Sequence, residues 1–195
     1  VQLTRSPEEA VAAARALGGR VVLKIASPDI AHKTEAGGVQ LRLEGDAAVA
    51  TAWRDIDAAV RRAAPQARIE GILVAPMRER GIELFVGTAR DPDWGMVIAV
   101  GLGGIWVEAL QDTALRVLPI SVHDAREMLA SLRAAKILRG YRGAPAADIE
   151  ALAATIVRIG EAALALGPGV ASLEVNPLLV DGARVEALDA LVVRD

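Results

Sequence analysis

Apolar residues recur along this chain at two spacings, one typical of helices and the other typical of strands. After Asp46, which we expect to cap a helix, apolar side chains return every three or four positions, as on one helical face (Val49, Trp53, Ile56 and Val60). Similar spacing or good capping residues predict further helices over residues 6–17, 121–132 and 148–166. The chain is therefore expected to contain at least these four helices.

Shorter apolar runs between the helices predict strands over residues 20–25, 39–43, 71–76, 82–88, 96–100, 172–180 and 184–193. Asp181-Gly182 joins the last two runs and is typical of a hairpin turn. Helices and strands do not alternate steadily, as they would in a doubly wound parallel sheet. The order predicts instead an α+β fold of two lobes, a small one over residues 1–74 and a large one over residues 75–195.

Composition narrows the classes of function. Aromatic residues make up 3% of the chain and its net charge is -3, so neither a base-stacking platform nor electrostatic binding to nucleic acid is indicated. The sequence has no cysteine, which excludes disulfides and thiolate chemistry and fits a cytoplasmic protein. It has no apolar run long enough for a membrane helix and no signal-peptide pattern, and we expect no membrane association. Because the chain starts at Val1 rather than at Met, we expect it to be part of a longer protein.

Two features near the start of the chain carry candidate chemistry. Lys24 lies inside the apolar strand over residues 20–25, where an ammonium group needs an anionic partner such as a phosphate, unless the strand is at an edge and the lysine faces water. The next segment, residues 27–38, combines hydroxyls, charges of both signs, His32 and a double glycine between two strands. Such long loops often hold functional residues. An imidazole there can be a base, a metal ligand or a phosphoryl acceptor, although a lone histidine is more often ordinary surface.

Two further groups lie in the second half. The glycines of Gly101-Leu102-Gly103-Gly104 follow a predicted strand, and either they cradle a phosphate with backbone N–H groups or they form a structural turn. Glu174 and Asn176 are two positions apart on one strand, so they share a face that Asp189 on the next predicted strand can reach. Carboxylate and amide oxygens that converge in this way suit Mg²⁺ beside nucleotide phosphates. The alternative is a solvated sheet face.

Together these segments resemble one family. Residues 21–39 (VVLKIASPDIAHKTEAGGV), 101–108 (GLGGIWVE), 136–143 (KILRGYRG) and 173–178 (LEVNPL) closely resemble the ATP-grasp subunit of ADP-forming acetyl-CoA synthetases. So does Arg90-Asp91-Pro92, and the segments come in the same order over essentially the whole chain. The nucleotide-binding subunit of succinyl-CoA synthetase is more distantly similar. The resemblance implies an ATP-grasp fold whose nucleotide site lies between the two lobes.

The same resemblance implies a reaction and its cofactors, ATP or ADP and Mg²⁺. Acyl-CoA, ADP and phosphate would give the acid, CoA and ATP, and the phosphoryl group would travel through histidines. One histidine belongs to a separate CoA-binding domain or subunit, which would be the partner that meets the acyl-CoA, and the loop that matches residues 27–38 supplies the second, His32. The chain would thus be the nucleotide-binding part of an acid–CoA ligase.

Individual roles follow from matched positions. Lys24 matches a lysine on the ATP phosphates, Glu83 a glutamate of the nucleotide site, and Asn176 and Asp189 the Mg²⁺ ligands. Glu174 matches an acidic residue that steadies the phosphohistidine or the metal. The backbone from Val74 to Met77 would read adenine, and Gly103 and Gly104 belong to the glycine turn that would face the cofactor.

The chain departs from the family at two places, and the family also offers a second function. Many members have Gln-Glu where this chain has Ala75-Pro76, which weakens the case for side-chain contacts to adenine or ribose there. Members also begin with about 20 more residues, so we expect this chain to be truncated at its N-terminus. Similar domains occur in bacterial protein-lysine acetyltransferases, where they sense ligands. Because the chain keeps His32, Lys24 and the three residues Glu174, Asn176 and Asp189, the enzyme is favoured over the sensor.

Overall fold

A computed structural model describes residues 1–103, 112–140 and 145–194. It divides into two compact units, Val1–Glu79 and Arg80–Asp195. The division falls five residues after the lobe boundary expected from the sequence. Each unit has its own sheet and its own apolar core.

The first unit is a four-stranded sheet with two helices. Its sheet has the order β1-β4-β2-β3, and every pair in it is antiparallel. The elements in chain order are β1 (Gln2–Thr4), α1 (Pro7–Leu17), β2 (Val21–Ala26), β3 (Val39–Leu43), α2 (Asp46–Ala63) and β4 (Gly71–Pro76). The core consists of side chains from β2 and β4 that pack against α1 and α2, including Leu23, Ile25, Ile56, Ile72 and Val74.

The second unit combines a larger antiparallel sheet with three helices in the described ranges. Its six-stranded sheet has the order β10-β8-β5-β6-β7, with β9 also paired to β8. The elements are β5 (Ile82–Asp91), β6 (Gly95–Leu102), β7 (Thr113–Val117), α3 (Val122–Ser131), α4 (Ala135–Leu138), α5 (Ile149–Ala165), β8 (Val170–Asp181), β9 (Arg184–Ala187) and β10 (Ala190–Arg194). One face of the sheet, with Val86, Ile98 and Val175, is buried under Met128 of α3 and Ile156 of α5.

Capping residues set most helix starts as the sequence predicts. The Ser6 hydroxyl accepts a hydrogen bond from the Glu9 N–H, and Asp148 caps α5 in the same way through the N–H of Ala151. The prediction that Asp46 caps α2 is wrong. Gly45 is the N-cap, with a φ of 85°, and no side chain caps this helix. The Asp46 carboxylate instead forms an ion pair with Arg15 of α1.

The structure adds three short elements and divides one. The strands β1 and β7 and the four-residue α4 were not predicted. The run expected to form one strand over residues 184–193 forms β9 and β10, which both pair with β8 and are separated by Leu188 and Asp189. Asp189 therefore lies in a break between strands and not on a strand.

None of the helices in the described ranges combines the length and the apolar character needed to cross a membrane.

The α5 helix should tolerate truncation on its outer face and not on its inner face. Leu152 is fully buried in the core of the second unit, whereas Leu164 on the same helix is 43% exposed. Leu152→Ala leaves a cavity, and we expect it to lower the free energy of unfolding by about 2–5 kcal/mol. Leu164→Ala serves as the matched control, with a loss of less than about 1 kcal/mol. Urea unfolding followed by circular dichroism measures both, and equal losses would contradict this packing.

Candidate functional site

Lys24 lies on an interior strand, which excludes the edge-strand interpretation. Its strand, β2, runs between β3 and β4, and Lys24 is opposite Val39 on one side and Leu73 on the other. Leu23 and Ile25 point into the core beneath the helices, so Lys24 emerges on the face of the sheet away from α1 and α2. Its side chain is half-buried. A cation held there on a rigid strand is well placed to meet an anion on that face.

His32 is exposed in the middle of the irregular segment that joins β2 to β3, residues 27–38. The sequence predicts that this segment is mobile, because it has little apolar content and ends in Gly37-Gly38. The structure shows it attached to the rest of the first unit on both sides of His32. Its mobility therefore stays a prediction, and any large movement has to break those attachments.

The first attachment is apolar. Ile30, two residues before His32, is 7% exposed and belongs to the core of the first unit. After His32 the chain folds back tightly, and the Gly38 N–H donates to the Lys33 carbonyl over 2.7 Å. The Gly38 carbonyl in turn accepts from the Ile25 N–H, also over 2.7 Å, which joins the end of the segment to β2.

The second attachment is polar and links residues 39 positions apart. The Asp29 carboxylate accepts from the backbone N–H of Arg68 at 2.7 Å and from its guanidinium Nε and Nη2 at 3.2 and 3.1 Å. These hydrogen bonds hold the pKa of Asp29 below its ordinary value. Nothing in the sequence singled out Arg68, because its partner is close only after β4 has paired with β2.

The proposed adenine-reading segment begins in the sheet and leaves it. Val74 is fully buried and lies in β4 opposite Leu23 and Gln2, so its side chain belongs to the core. Met77 follows the end of β4 and is half-buried, and its N–H donates to the Arg20 carbonyl over 2.8 Å. Of the two, only Met77 lies outside the strand.

In the second unit, the structure brings Glu174, Asn176 and Asp189 together. Glu174 and Asn176 are exposed on β8, and the Asn176 amide Nδ2 donates to Glu174 Oε1 over 3.0 Å. The Asn176 backbone N–H donates to the Asp189 carbonyl over 3.2 Å, which fixes the break between β9 and β10 beside β8. The Asp189 carboxylate accepts from the Ala190 N–H. Glu174 and Asn176 thus share one face, as strand spacing predicts, and Asp189, which was expected within a strand, lies in the break beside them.

Small residues lie on one side of Glu174 in the sheet. In the sheet, Glu174 is opposite Gly87 of β5 and Leu191 of β10, and Gly87 is in turn opposite Ala99 of β6. A Cβ added at Gly87 would have no atom of the described residues within 4 Å. These residues lie on the face of the sheet away from α3 and α5, so within the described ranges the carboxylate stands beside an open floor formed by Gly87 and Ala99. Such a floor leaves room for a ligand of the size of a phosphate group.

Glu83 and Gly103 lie together near one end of the same sheet. Glu83 is exposed on β5, and the Gly103 N–H donates to its carbonyl over 2.7 Å. A Cβ at Gly103 would lie 3.1 Å from the backbone of Glu83 and Leu84. Its N–H is thus engaged within the sheet, and close packing explains the glycine better than the predicted phosphate contact does. Gly104 lies outside the described residues.

Phe85 is a residue of this face that the sequence analysis missed. It is half-buried on β5, and a Cβ at Gly101 would lie 2.5 Å from its ring, so the ring covers that glycine. The signal was present as the alternation of Glu83, Phe85 and Gly87 along one strand.

The residues of the second unit suit Mg²⁺ by their chemistry. No group of three or more His, Cys, Asp or Glu side chains in the described ranges could hold a metal by itself. Mg²⁺ commonly takes only one or two protein ligands and fills its other positions with water and substrate phosphates. The oxygens of Asn176 and Asp189, with Glu174 beside them, fit that incomplete kind of site. The Asn176 amide must turn to present its oxygen, since its nitrogen faces Glu174 here.

Comparison with known proteins gives a consistent result. Residues 1–193 match the ATP-grasp domain family. The chain is 40% identical over 192 residues to the beta subunit of ADP-forming acetate–CoA ligase I from Pyrococcus furiosus, covering 98% of this chain and 82% of that subunit. It is 41% identical over 178 residues to ADP-forming acetate–CoA ligase I from Archaeoglobus fulgidus, covering 91% of this chain. There it spans only 26% of the relative's length.

Solved structures of an acetyl-coenzyme A synthetase from Candidatus Korarchaeum cryptofilum are similar over the whole chain. The complex with coenzyme A and Ca-AMPCP has a TM-score of 0.91 and 38% identity, and covers 100% of this chain and 84% of that one. A second complex contains a phosphorylated phosphohistidine segment in a site I orientation (TM-score 0.84, 37% identity, 100% and 84% covered). A third holds Mg-AMPPCP with that segment pointing towards the nucleotide binding site (TM-score 0.80, 33% identity, 99% and 84% covered).

The tight return of the His32 segment predicts that Gly38 is hard to replace. A Cβ there would lie 2.5 Å from Ile25 Cγ2 and 2.9 Å from the Lys33 carbonyl oxygen. We expect Gly38→Ala to lower the free energy of unfolding by about 1–3 kcal/mol. Gly169→Ala is the control, because its Cβ would meet no atom of the described part of the chain within 4 Å and its φ is not positive. Denaturant unfolding compares the two, and a neutral Gly38→Ala would show that the return is loosely packed.

Proposed function

Because this chain belongs to the ATP-grasp domain family, in the branch of the ADP-forming acetate–CoA ligases, we propose that it binds ATP or ADP with Mg²⁺ and passes a phosphoryl group between the nucleotide and His32. The observation that carries the proposal is the exposed His32 in a segment anchored on both sides, within a chain that keeps the oxygen ligands Asn176 and Asp189. In the relatives, the part that matches this chain is a subunit of an acid–CoA ligase or one portion of a longer ligase chain. We propose the same arrangement here.

The residues of the second unit would hold the metal and the phosphates. Asn176 and Asp189 would ligate Mg²⁺, and the bound ion would neutralise charge on the phosphate oxygens during transfer. Glu174 stands beside them over the open floor formed with Gly87. A carboxylate in that position can accept a hydrogen bond from the N–H of an incoming imidazole and so orient it. The Mg-AMPPCP complex of the Korarchaeum enzyme supports a nucleotide and Mg²⁺ as ligands.

In the first unit, Lys24 would bind phosphate oxygens and His32 would carry the phosphoryl group. In the ATP-forming direction, the terminal oxygen of ADP attacks the phosphorus of phosphohistidine. The new P–O bond forms as the P–N bond breaks, and the imidazole leaves with the electron pair. Lys24 would neutralise part of the negative charge on the phosphate oxygens, as Mg²⁺ would where Asn176 and Asp189 hold it, and charge stabilisation of this kind is the main contribution that a protein makes to phosphoryl transfer.

A CoA-binding domain or subunit of the same enzyme would supply the phosphoryl group. The relatives are beta subunits or parts of single-chain synthetases, and the Korarchaeum structures contain coenzyme A. In this proposal the acyl-CoA meets the partner and this chain meets the nucleotide. The cytoplasmic location expected from the cysteine-free sequence stays a prediction.

The alternative function, a ligand-sensing domain of a protein-lysine acetyltransferase, is less well supported. The relatives named above are ligases, and a sensor has no need of a phosphoryl acceptor such as His32. The same experiments separate the two functions, because a sensor would bind a ligand without turning it over.

Saturating Mg-ATP or Mg-ADP should raise the thermal midpoint of the protein. Ligand at about 100 times its Kd stabilises the folded state by about 2.7 kcal/mol. Asn176→Ala and Asp189→Ala should lose the part of the midpoint shift that EDTA also removes. Both variants should also form ATP much more slowly, while their thermal midpoint without ligand stays close to that of the wild type. Differential scanning fluorimetry with and without EDTA measures this effect.

Glu161→Ala is the matched control for that prediction, since Glu161 is an exposed carboxylate on α5. It should keep the full Mg-dependent shift. If either site variant unfolds several kcal/mol more easily without ligand, that residue is structural and its assignment to the metal is wrong.

Replacement of His32 should block the relay at one defined step. The full-length enzyme, supplied with acyl-CoA and labelled phosphate, should carry an acid-labile phosphoryl label on His32. In His32→Ala the partner histidine should still take up label, whereas ATP should no longer form. His123→Ala is the control, because His123 is 70% exposed on α3 and pairs only weakly with Glu127 at 3.5 Å. ATP formation by His32→Ala at the wild-type rate would exclude the relay.

A further inference from the structure

The segment that carries His32 is fastened to the first unit by one polar cluster that the proposed chemistry does not use. Asp29, three residues before His32, receives three hydrogen bonds from Arg68, one of them from the backbone. The Asp29 N–H also donates to the hydroxyl of Ser27 over 3.1 Å. The carboxylate is thus the point where the segment after β2 is held against the turn before β4.

The backbone that carries Arg68 is held in place by its neighbours. Ala67 and Ile69, on either side of Arg68, pack against the core of the first unit. The Ala67 N–H donates to the Ala64 carbonyl over 3.1 Å, and the Glu70 N–H donates to the Ala26 carbonyl over 2.9 Å. Arg68 is therefore presented by backbone that the sheet and the core both fix. A movement of the segment would separate Asp29 from Arg68 and leave Arg68 in place.

The strength of the attachment is suited to reversible opening. The Arg68 side chain is 76% exposed and that of Asp29 is 36% exposed, so water competes for both groups. Exposed ion pairs of this kind stabilise only weakly and are screened by salt. The other attachment before His32 is the single buried side chain of Ile30. An exposed pair of this kind can open locally without unfolding of the core around it.

We propose that Asp29 and Arg68 form a latch that positions the His32 segment, so that the strength of this pair sets how the segment divides its time between the docked conformation and a released one. Arg68 is a positioning residue, since it acts on His32 only through Asp29. The functional part of this inference rests on the proposed phosphoryl relay, because a carrier histidine has to reach two different sites.

A graded series of variants tests the latch in the full-length enzyme. Arg68→Ala removes two of the three hydrogen bonds and leaves the backbone N–H, whereas Asp29→Ala removes all three. Hydrogen exchange of the amides over residues 27–38 should become about two- to fivefold faster in Arg68→Ala and faster still in Asp29→Ala. The double variant should match Asp29→Ala, because the second substitution has nothing left to remove.

Arg61→Ala is the matched control, since Arg61 forms a comparable exposed ion pair with Asp57 on α2 at 2.9 Å. It should leave exchange in the segment unchanged. Equal exchange rates in Arg68→Ala and Arg61→Ala would overturn the latch.

A functional readout separates positioning from general stability. The rate of His32 labelling is measured in two ways. The label comes either from Mg-ATP labelled at its γ-phosphate, or from labelled phosphate and acyl-CoA by way of the partner. A latch favours one of the two sites, so Arg68→Ala should change the ratio of the two labelling rates by about two- to fivefold. An unchanged ratio, with both rates lowered equally, would overturn the positioning role. If wild-type His32 takes label from neither source, the proposed relay fails and the functional inference fails with it, while hydrogen exchange still decides whether the physical latch exists.

Discussion

In each unit the described helices cover one face of the sheet, and successive side chains of a strand point to opposite faces. This alternation decides where the charged candidate residues lie. In β2, Leu23 and Ile25 are buried under α1 and α2, and Lys24 between them must take the opposite face. In β8, Val175 is buried on the side of α3 and α5, and Glu174 and Asn176 on either side of it must point outward. A shift of one residue in either strand would bury a charge and expose the core, which fixes the register strongly.

Much of the fold was predictable because local signals and packing agree. Ser6 followed by Pro7 predicted the start of α1, and the periodic apolar face predicted α2. The prediction failed where the signal is short or depends on distant contacts. The three residues of β1 become a strand only by pairing with β4, and β9 and β10 separate because the chain breaks at Asp189. Asp46 looked like a cap from its residue type, but Gly45 takes that position and Arg15, distant in sequence, takes its carboxylate.

The candidate site was predictable in its residue types and less so in its contacts. The convergence of Glu174 and Asn176 follows from strand spacing alone, and the structure joins them by a hydrogen bond. The interior position of Lys24 depends on the strand order, which no local pattern contains. The same holds for Asp29 and Arg68, whose contact spans 39 residues and requires β4 to be beside β2. The Gly103 N–H, expected to face a phosphate, is used by Glu83 because β5 and β6 pair up to that point.

The proposed chemistry needs rigid metal ligands in the second unit and a mobile histidine in the first. A ligand pair for Mg²⁺ has to keep its geometry closely, and Asn176 with Asp189 is held by β8 and by backbone hydrogen bonds around it. A phosphoryl carrier has to move, and His32 is accordingly in irregular backbone between strands. Irregular backbone alone would leave the histidine unplaced, so the segment also needs contacts that hold it. Ile30, Asp29 and the Lys33–Gly38 return provide such contacts, and the exposed ion pair of Asp29 with Arg68 can be weakened without disturbing the core. In the proposed latch, Asp29 and Arg68 together set the balance between holding and releasing His32, and Arg68 is the partner that can be changed without altering the segment itself.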